Sequence, residues 1–250
     1  MTATAHTEPD RDDPFKTVLV PRLAPGRDRA DAQDRIVTRH GRLVLSVPAF
    51  QSLFSRYAMN RVLDGTNGVP DPASPTLYTP DAAALAVVEH VGPSRRAYLR
   101  AREDPDYLAR VRPEEEYLDR ELLTGRPSLY DVRSETVFGA PEPGGIRIFD
   151  FVRRRADVPA DAFFAALRAD GDRLGRDTEY RSVVTHRVHD LVVEGLRGAD
   201  HDVIVQTRVD GPEGLRRLAR LRERLRAAQA EYADADGSFS LVTREHLLVP

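Results

Sequence analysis

Apolar and β-branched residues gather in eight runs along the chain, and the stretches between them repeat in a fixed order. "FKTVLVP" (15–21) reads as a strand. A short helical stretch follows, in which Ala32, Ile36 and His40 recur at a spacing of four and so share one face, with Gly41 suited to end the helix. "FQSLFSRYAMNRVL" (50–63) mixes aromatic and polar residues like a half-buried strand, and "AALAVVEHV" (83–91) is a third strand. "RRAYLRARED" and "PDYLARVRPEEEYLDREL" read as helical, and "SLYDVRSETVF" (128–138) is a fourth strand. After "GAPEPGG" the series begins again. "IRIFDFVRR" is a strand, and "PADAFFAALRADGDRLG" is a helix with Pro159 near its first turn and Gly175 near its end. "YRSVVTHRVHDLVV" and "HDVIVQTRV" are strands, "GPEGLRRLARLRERLRAAQAEYADADG" is a long helix, and "SFSLVTREHLLVP" is the last strand.

Each half is thus strand–helix–strand–strand–helix–strand, the ferredoxin-like arrangement, and the chain is α+β. Weak internal likeness supports a tandem repeat: "NRVLD" (60–64) lies over "HRVHD" (186–190), and "VRSETVF" (132–138) over "VTREHLL" (242–248). The pattern divides the chain into a disordered tail (1–13), a first repeat (14–139), a linker (140–145) and a second repeat (146–250). Four antiparallel strands with both helices on one face leave the other face bare. Two copies cover each other, so the expected architecture is a pseudo-dimeric α+β barrel of eight antiparallel strands, helices outside, with a ligand-sized cavity between the sheets.

Composition narrows the chemistry. The 250 residues include no Cys, which removes disulfides and thiolate metal sites and suits a reducing cytoplasm. The N-terminus is polar and acidic, with no signal-peptide pattern, and no run is long and apolar enough for a membrane span. Lys16 is the only lysine, and the other 36 basic residues are Arg interleaved with Asp and Glu, for a net charge of −3. That balance gives no pull toward nucleic acid or membrane. Leu215, Leu218, Leu221, Leu225 and Tyr232 make an apolar stripe on the last helix, as expected of a helix lying on a sheet.

Three segments of the first half carry a family resemblance: "HGRLV" (40–44), "SRYAMNRVL" (55–63) and "EDPDYLARVRPEEEYLD" (103–119). In that order they resemble the EthD-like group of the dimeric α+β barrel superfamily. The resemblance implies a pocket for a hydrophobic, oxygenated small molecule. It also implies an activity like those of cofactor-independent polyketide cyclases, dehydratases, isomerases or monooxygenases that need no flavin or metal.

The catalytic candidates are His40, Asp150 and His186; Tyr57, Asn60, His90 and Tyr78 are candidates for substrate contact. His40 at a helix C-terminus would be favoured as imidazolium and suit a general acid, or else it caps a free carbonyl. Asp150 interrupts an apolar run: in an apolar cavity it would serve as a base, and otherwise it pairs with an arginine. Tyr57 and Asn60 fall on opposite faces of their strand, and Asn60 aligns with His186. Arg61 and Arg187 read as ion-paired, and His90, Glu245 and His246, weaker candidates for chemistry, read as rim or solvent residues. Tyr78 sits in the Pro-rich loop Asp64–Asp81, which reads either as a lid over a barrel mouth or as disordered. His186 and His189 lie on opposite faces, a poor arrangement for a shared metal, and no phosphate loop follows a strand. The expected activity is a cofactor-free cyclase, dehydratase or isomerase acting on a polyketide-like metabolite. The alternatives are a cofactor-free monooxygenase and a small-molecule binding protein. A homodimer is a further expectation.

Overall fold

A computed structural model describes residues 14–23, 26–63, 76–114, 129–195 and 200–249. The tail 1–13, most of the 64–81 loop and the end of the helical stretch beyond 114 lie outside the described residues. In the first half, β1 (Phe15–Leu19) leads to α1 (Arg29–Asp34), capped by the Asp28 carboxylate accepting from the Asp31 amide at 2.8 Å. The helix continues as a π-helical stretch (Arg35–His40) and then as α2 (Gly41–Leu45). A turn of helix, α3 (Pro48–Gln51), precedes β2 (Arg56–Val62) and β3 (Ala86–Gly92). Next come α4 (Arg95–Ala101), α5 (Pro105–Arg110) and β4 (Leu129–Phe138). The second half runs β5 (Ile146–Arg154), α6 (Ala160–Arg176), α7 (Thr178–Arg181), β6 (Val184–Gly195), β7 (Val203–Val209), α8 (Gly211–Gln229) and β8 (Ala233–Val249).

All eight strands close into one antiparallel barrel in the order β1-β3-β2-β8-β5-β7-β6-β4. Each half keeps its own four strands together. The halves meet along two seams, β2 with β8 and β4 with β6. Between β4 and β5 the backbone turns at Gly139, whose φ of 77° and contact of a built Cβ with Thr185 O at 2.1 Å exclude a side chain.

Three expectations are corrected. The helix does not stop at Gly41, which has helical φ and ψ of −60° and −38°. A Cβ there would stand 2.3 Å from Leu248 Cδ1 and 3.1 Å from Met59 Cε, so this glycine lets the helix lie close on β2 and β8. Residues 50–55 are not strand, because Pro48 in the first turn starts α3. "YADADG" does not end the last helix; its residues 233–237 open β8 instead.

The space between the sheets is filled, against the expectation of a cavity there. Val18, Val62, Val87, Tyr130, Phe149, Phe151, Ile204, Phe239 and Leu241 form one buried cluster, with Val192 packed against it. Strands from all round the barrel supply it, so it lies inside. A second interior layer is ionic. Lys16 Nζ meets Asp190 at 2.8 Å and Glu89 at 3.2 Å; Arg147 meets Glu89 at 3.2 Å and Glu245 at 2.8 Å. Gln206 Nε2 donates to Glu89 and Asp190 at 2.9 and 2.5 Å. Glu245, read as a rim residue, belongs to this layer, while His246 is exposed. The outer face of each sheet, under its helices, carries the other two buried clusters.

Candidate functional site

In the first half that face is aromatic around one imidazole. On β3, alternation puts Val87 and Glu89 inside the barrel and turns His90 toward the helices. The His90 ring stacks on Phe54 at 5.0 Å, meets Tyr57 edge-on at 4.6 Å and lies 5.9 Å from Tyr98. Phe50 stacks on Tyr107 at 5.1 Å, and Phe15 lies 5.0 Å from Tyr98. Arg102 donates to the Tyr98 hydroxyl at 3.2 Å and stands over both tyrosine rings. Thr17 Oγ1 lies 3.4 Å from His90 Nδ1, and Nε2 is buried with no hydrogen-bond partner among the described residues. Burial, aided by the nearby charges of His40 and Arg102, drives the His90 pKa down to about 3, so the ring is neutral.

His40 closes the π-helical stretch, half-buried, with its charge felt by both His90 and Glu114. Such stretches often occur at functional sites. Because the helix continues past His40, the expected helix-end field does not act on it. The hydrogen bond from Arg35, rather than its slight burial, holds Glu114 below the usual carboxylate range, with Arg39 Nε at 3.3 Å. His40, Tyr57 and His90, far apart in sequence, are thus brought to one face. The sequence reading missed Thr17, Phe54, Tyr98, Tyr107 and Glu114. The two tyrosines sit on short helices whose facing could not be set before the strand register was known.

Residues 24–120 match the model of the EthD domain. No curated protein matches the sequence. Among solved structures, an "anthrone oxidase-like protein" superposes with a TM-score of 0.60 at 10% identity, over 95% of this chain and 93% of that one. A "putative monooxygenase" from Lactobacillus acidophilus gives 0.51 at 11% identity, over 94% and 95%. A "putative chlorite dismutase" gives 0.53 at 13%, over 94% and 95%. At these identities the likeness is one of fold, that of the dimeric α+β barrel.

Within the matched segment, Asn60 lies apart from His40 and His90. It points into the barrel, donating to Val87 O at 3.0 Å and Glu89 Oε2 at 3.1 Å. His186 is inside as well, opposite Arg208, and burial lowers its pKa to about 4. Asp150 and Tyr78 share a third place, under the second-half helices. Ser240 Oγ donates to Asp150 at 2.5 Å, and burial pushes that carboxyl up to about 6. Asp150 forms no ion pair among the described residues. Tyr78 covers no barrel mouth; its hydroxyl donates to Gln229 Oε1 at 2.5 Å and its amide to Ser240 Oγ at 3.1 Å. Arg61 and Arg187 face the helices as read from the sequence, but they bond Gln33, and Tyr180 with Thr207, rather than carboxylates. Among the described residues no group of three or more His, Asp or Glu is arranged to hold a metal ion, and no helix is long and apolar enough to cross a membrane.

Proposed function

We propose that the EthD domain binds an oxygenated, ring-bearing small molecule of polyketide type and moves a proton on it, cyclising, dehydrating or isomerising it. The observation that carries this reading is the neutral His90 ring, its Nε2 unsatisfied, boxed by Phe54, Tyr57 and Tyr98 beside a second imidazole at His40. In the tautomer that carries its proton on Nδ1, facing Thr17 Oγ1, His90 Nε2 holds the lone pair and accepts from a phenolic or enolic hydroxyl. The aromatic walls fix the ring plane and exclude water. His40, nearer the surface, takes the proton from the carbon next to the carbonyl. It then returns the proton to a departing hydroxyl, which leaves as water, or to another carbon of the enolate.

A second reading shares the first step and is favoured by the fold neighbours named as a monooxygenase and an anthrone oxidase-like protein. There the carbanion reacts with O2 to give a hydroperoxide, which loses water to leave a carbonyl. Turnover of an anthrone and of linear polyketide mimics, followed with an oxygen electrode, separates the two: the first reading consumes no O2. Under either, His40→Ala lowers turnover roughly 10²–10⁴-fold with the fold intact, and His90→Asn raises KM. Wild-type turnover in both variants removes the site.

A further inference from the structure

The second half presents other chemistry on its equivalent face. Arg187 on β6, the counterpart of Arg61 on β2, is among the largest fully buried side chains of the protein. Its Nη1 is anchored, donating to the Tyr180 hydroxyl at 2.9 Å and to Thr207 Oγ1 at 3.1 Å. Nε and Nη2 have no partner, and the guanidinium makes no ion pair among the described residues. Those two nitrogens form the edge of the fork that matches the two oxygens of a carboxylate. Anchoring Nη1 fixes where that edge points. Two further buried atoms nearby are unsatisfied, the Tyr232 hydroxyl and Asp170 Oδ2. Both groups, with Asp150 and Tyr180, lie within electrostatic reach of the guanidinium. Desolvated donors and an acceptor gathered in one place call for partners.

We propose that the second half holds a small hydroxycarboxylate beneath α6 and α8. Its carboxylate is taken bidentately by Nε–H and Nη2–H of Arg187 with help from the Tyr232 hydroxyl, and its hydroxyl donates to Asp170 Oδ2. The nearby carboxyls disfavour a phosphate dianion, and the single open edge suits two oxygens. This site is independent of the His40–His90 face.

The test is calorimetric titration of the full chain at neutral pH with glycolate, its neutral analogue glycolamide, and inorganic phosphate. Saturable one-to-one binding of glycolate alone is expected. Tyr232→Phe, which only removes a hydroxyl, weakens it several-fold. Arg187→Met, which removes the whole fork, abolishes it. No saturable glycolate binding, equal binding to both variants, preference for phosphate, or crystals grown in glycolate with only water on Nε and Nη2 would each overturn the proposal. If Arg187→Met does not fold, Tyr232→Phe and the crystals decide.

Discussion

Asp150 shows how far a single residue can be read from its neighbours in sequence. A carboxylate within "IRIFDFV" announces itself, and its raised pKa was foreseeable from burial. Which face it occupies was not, because the run is apolar on both sides of it; β5 packs on helices on one face and on the barrel core on the other. The folded value of about 6 lies above the ordinary 3.8, so this group's contribution to stability is complete below pH 3.8 and is lost as pH rises through 6. At about 1.36 kcal/mol per pH unit the loss reaches roughly 3 kcal/mol. Asp150→Asn should therefore be more stable than the wild type at pH 8, by a margin that shrinks toward pH 4. Urea unfolding across that range checks it, and a margin independent of pH would refute the assignment.

At the scale of elements, order and number were legible and several ends were not. β5 was read to the residue because glycines bound one end of a β-branched run. The helix bearing His40 was misjudged because glycine has two uses: freedom of backbone, and absence of bulk. The sequence suggested the first, and the structure uses the second, as the helix rests on Met59 and Leu248. Gly41→Ala should then push the π-helical stretch off the sheet and cost about 1–3 kcal/mol, the usual penalty for overpacking, read from the urea midpoint at constant m. An undiminished midpoint would mean that the helix stands further away. β8 was cut short for a related reason: "ADADG" is polar, and only its pairing with Arg153 and Arg154 of β5 makes it strand.

For the molecule as a whole, the interior ions decide how the halves fit. Lys16, Arg56 and Glu89 come from the first half, and Arg147, Asp190, Gln206 and Glu245 from the second; Lys16–Asp190, Arg56–Glu245, Arg147–Glu89 and Gln206–Glu89 join the halves. No sequence pattern could show this, since the seven residues come from seven strands and meet only through barrel closure. Removing one partner of a buried pair costs about 3–5 kcal/mol, so Lys16→Met should unfold at much lower urea than the wild type. Acid acts on the same layer. Burial alone would raise the Glu89 pKa, but Lys16, Arg147 and the Gln206 hydrogen bond pull it to about 2, so its stabilisation holds above pH 4.5 and fades as pH falls toward 2. Burial holds His90, His186, His189 and His201 neutral, with pKa values of about 3 to 4. Unfolded histidines take up protons near pH 6.5, so their contribution erodes from there downward. Melting temperatures should fall steadily from pH 6.5 to pH 3, and a flat profile would contradict the burial of these rings.

Because ion pairs run across the two inner surfaces as well as within each, fidelity of assembly is written into the charges. Such a union also loosens a constraint. A symmetric pair must repeat every innovation twice, whereas here His40 and His90 occupy one flank and Arg187 with His189 the other, and each flank can evolve without dragging its counterpart along.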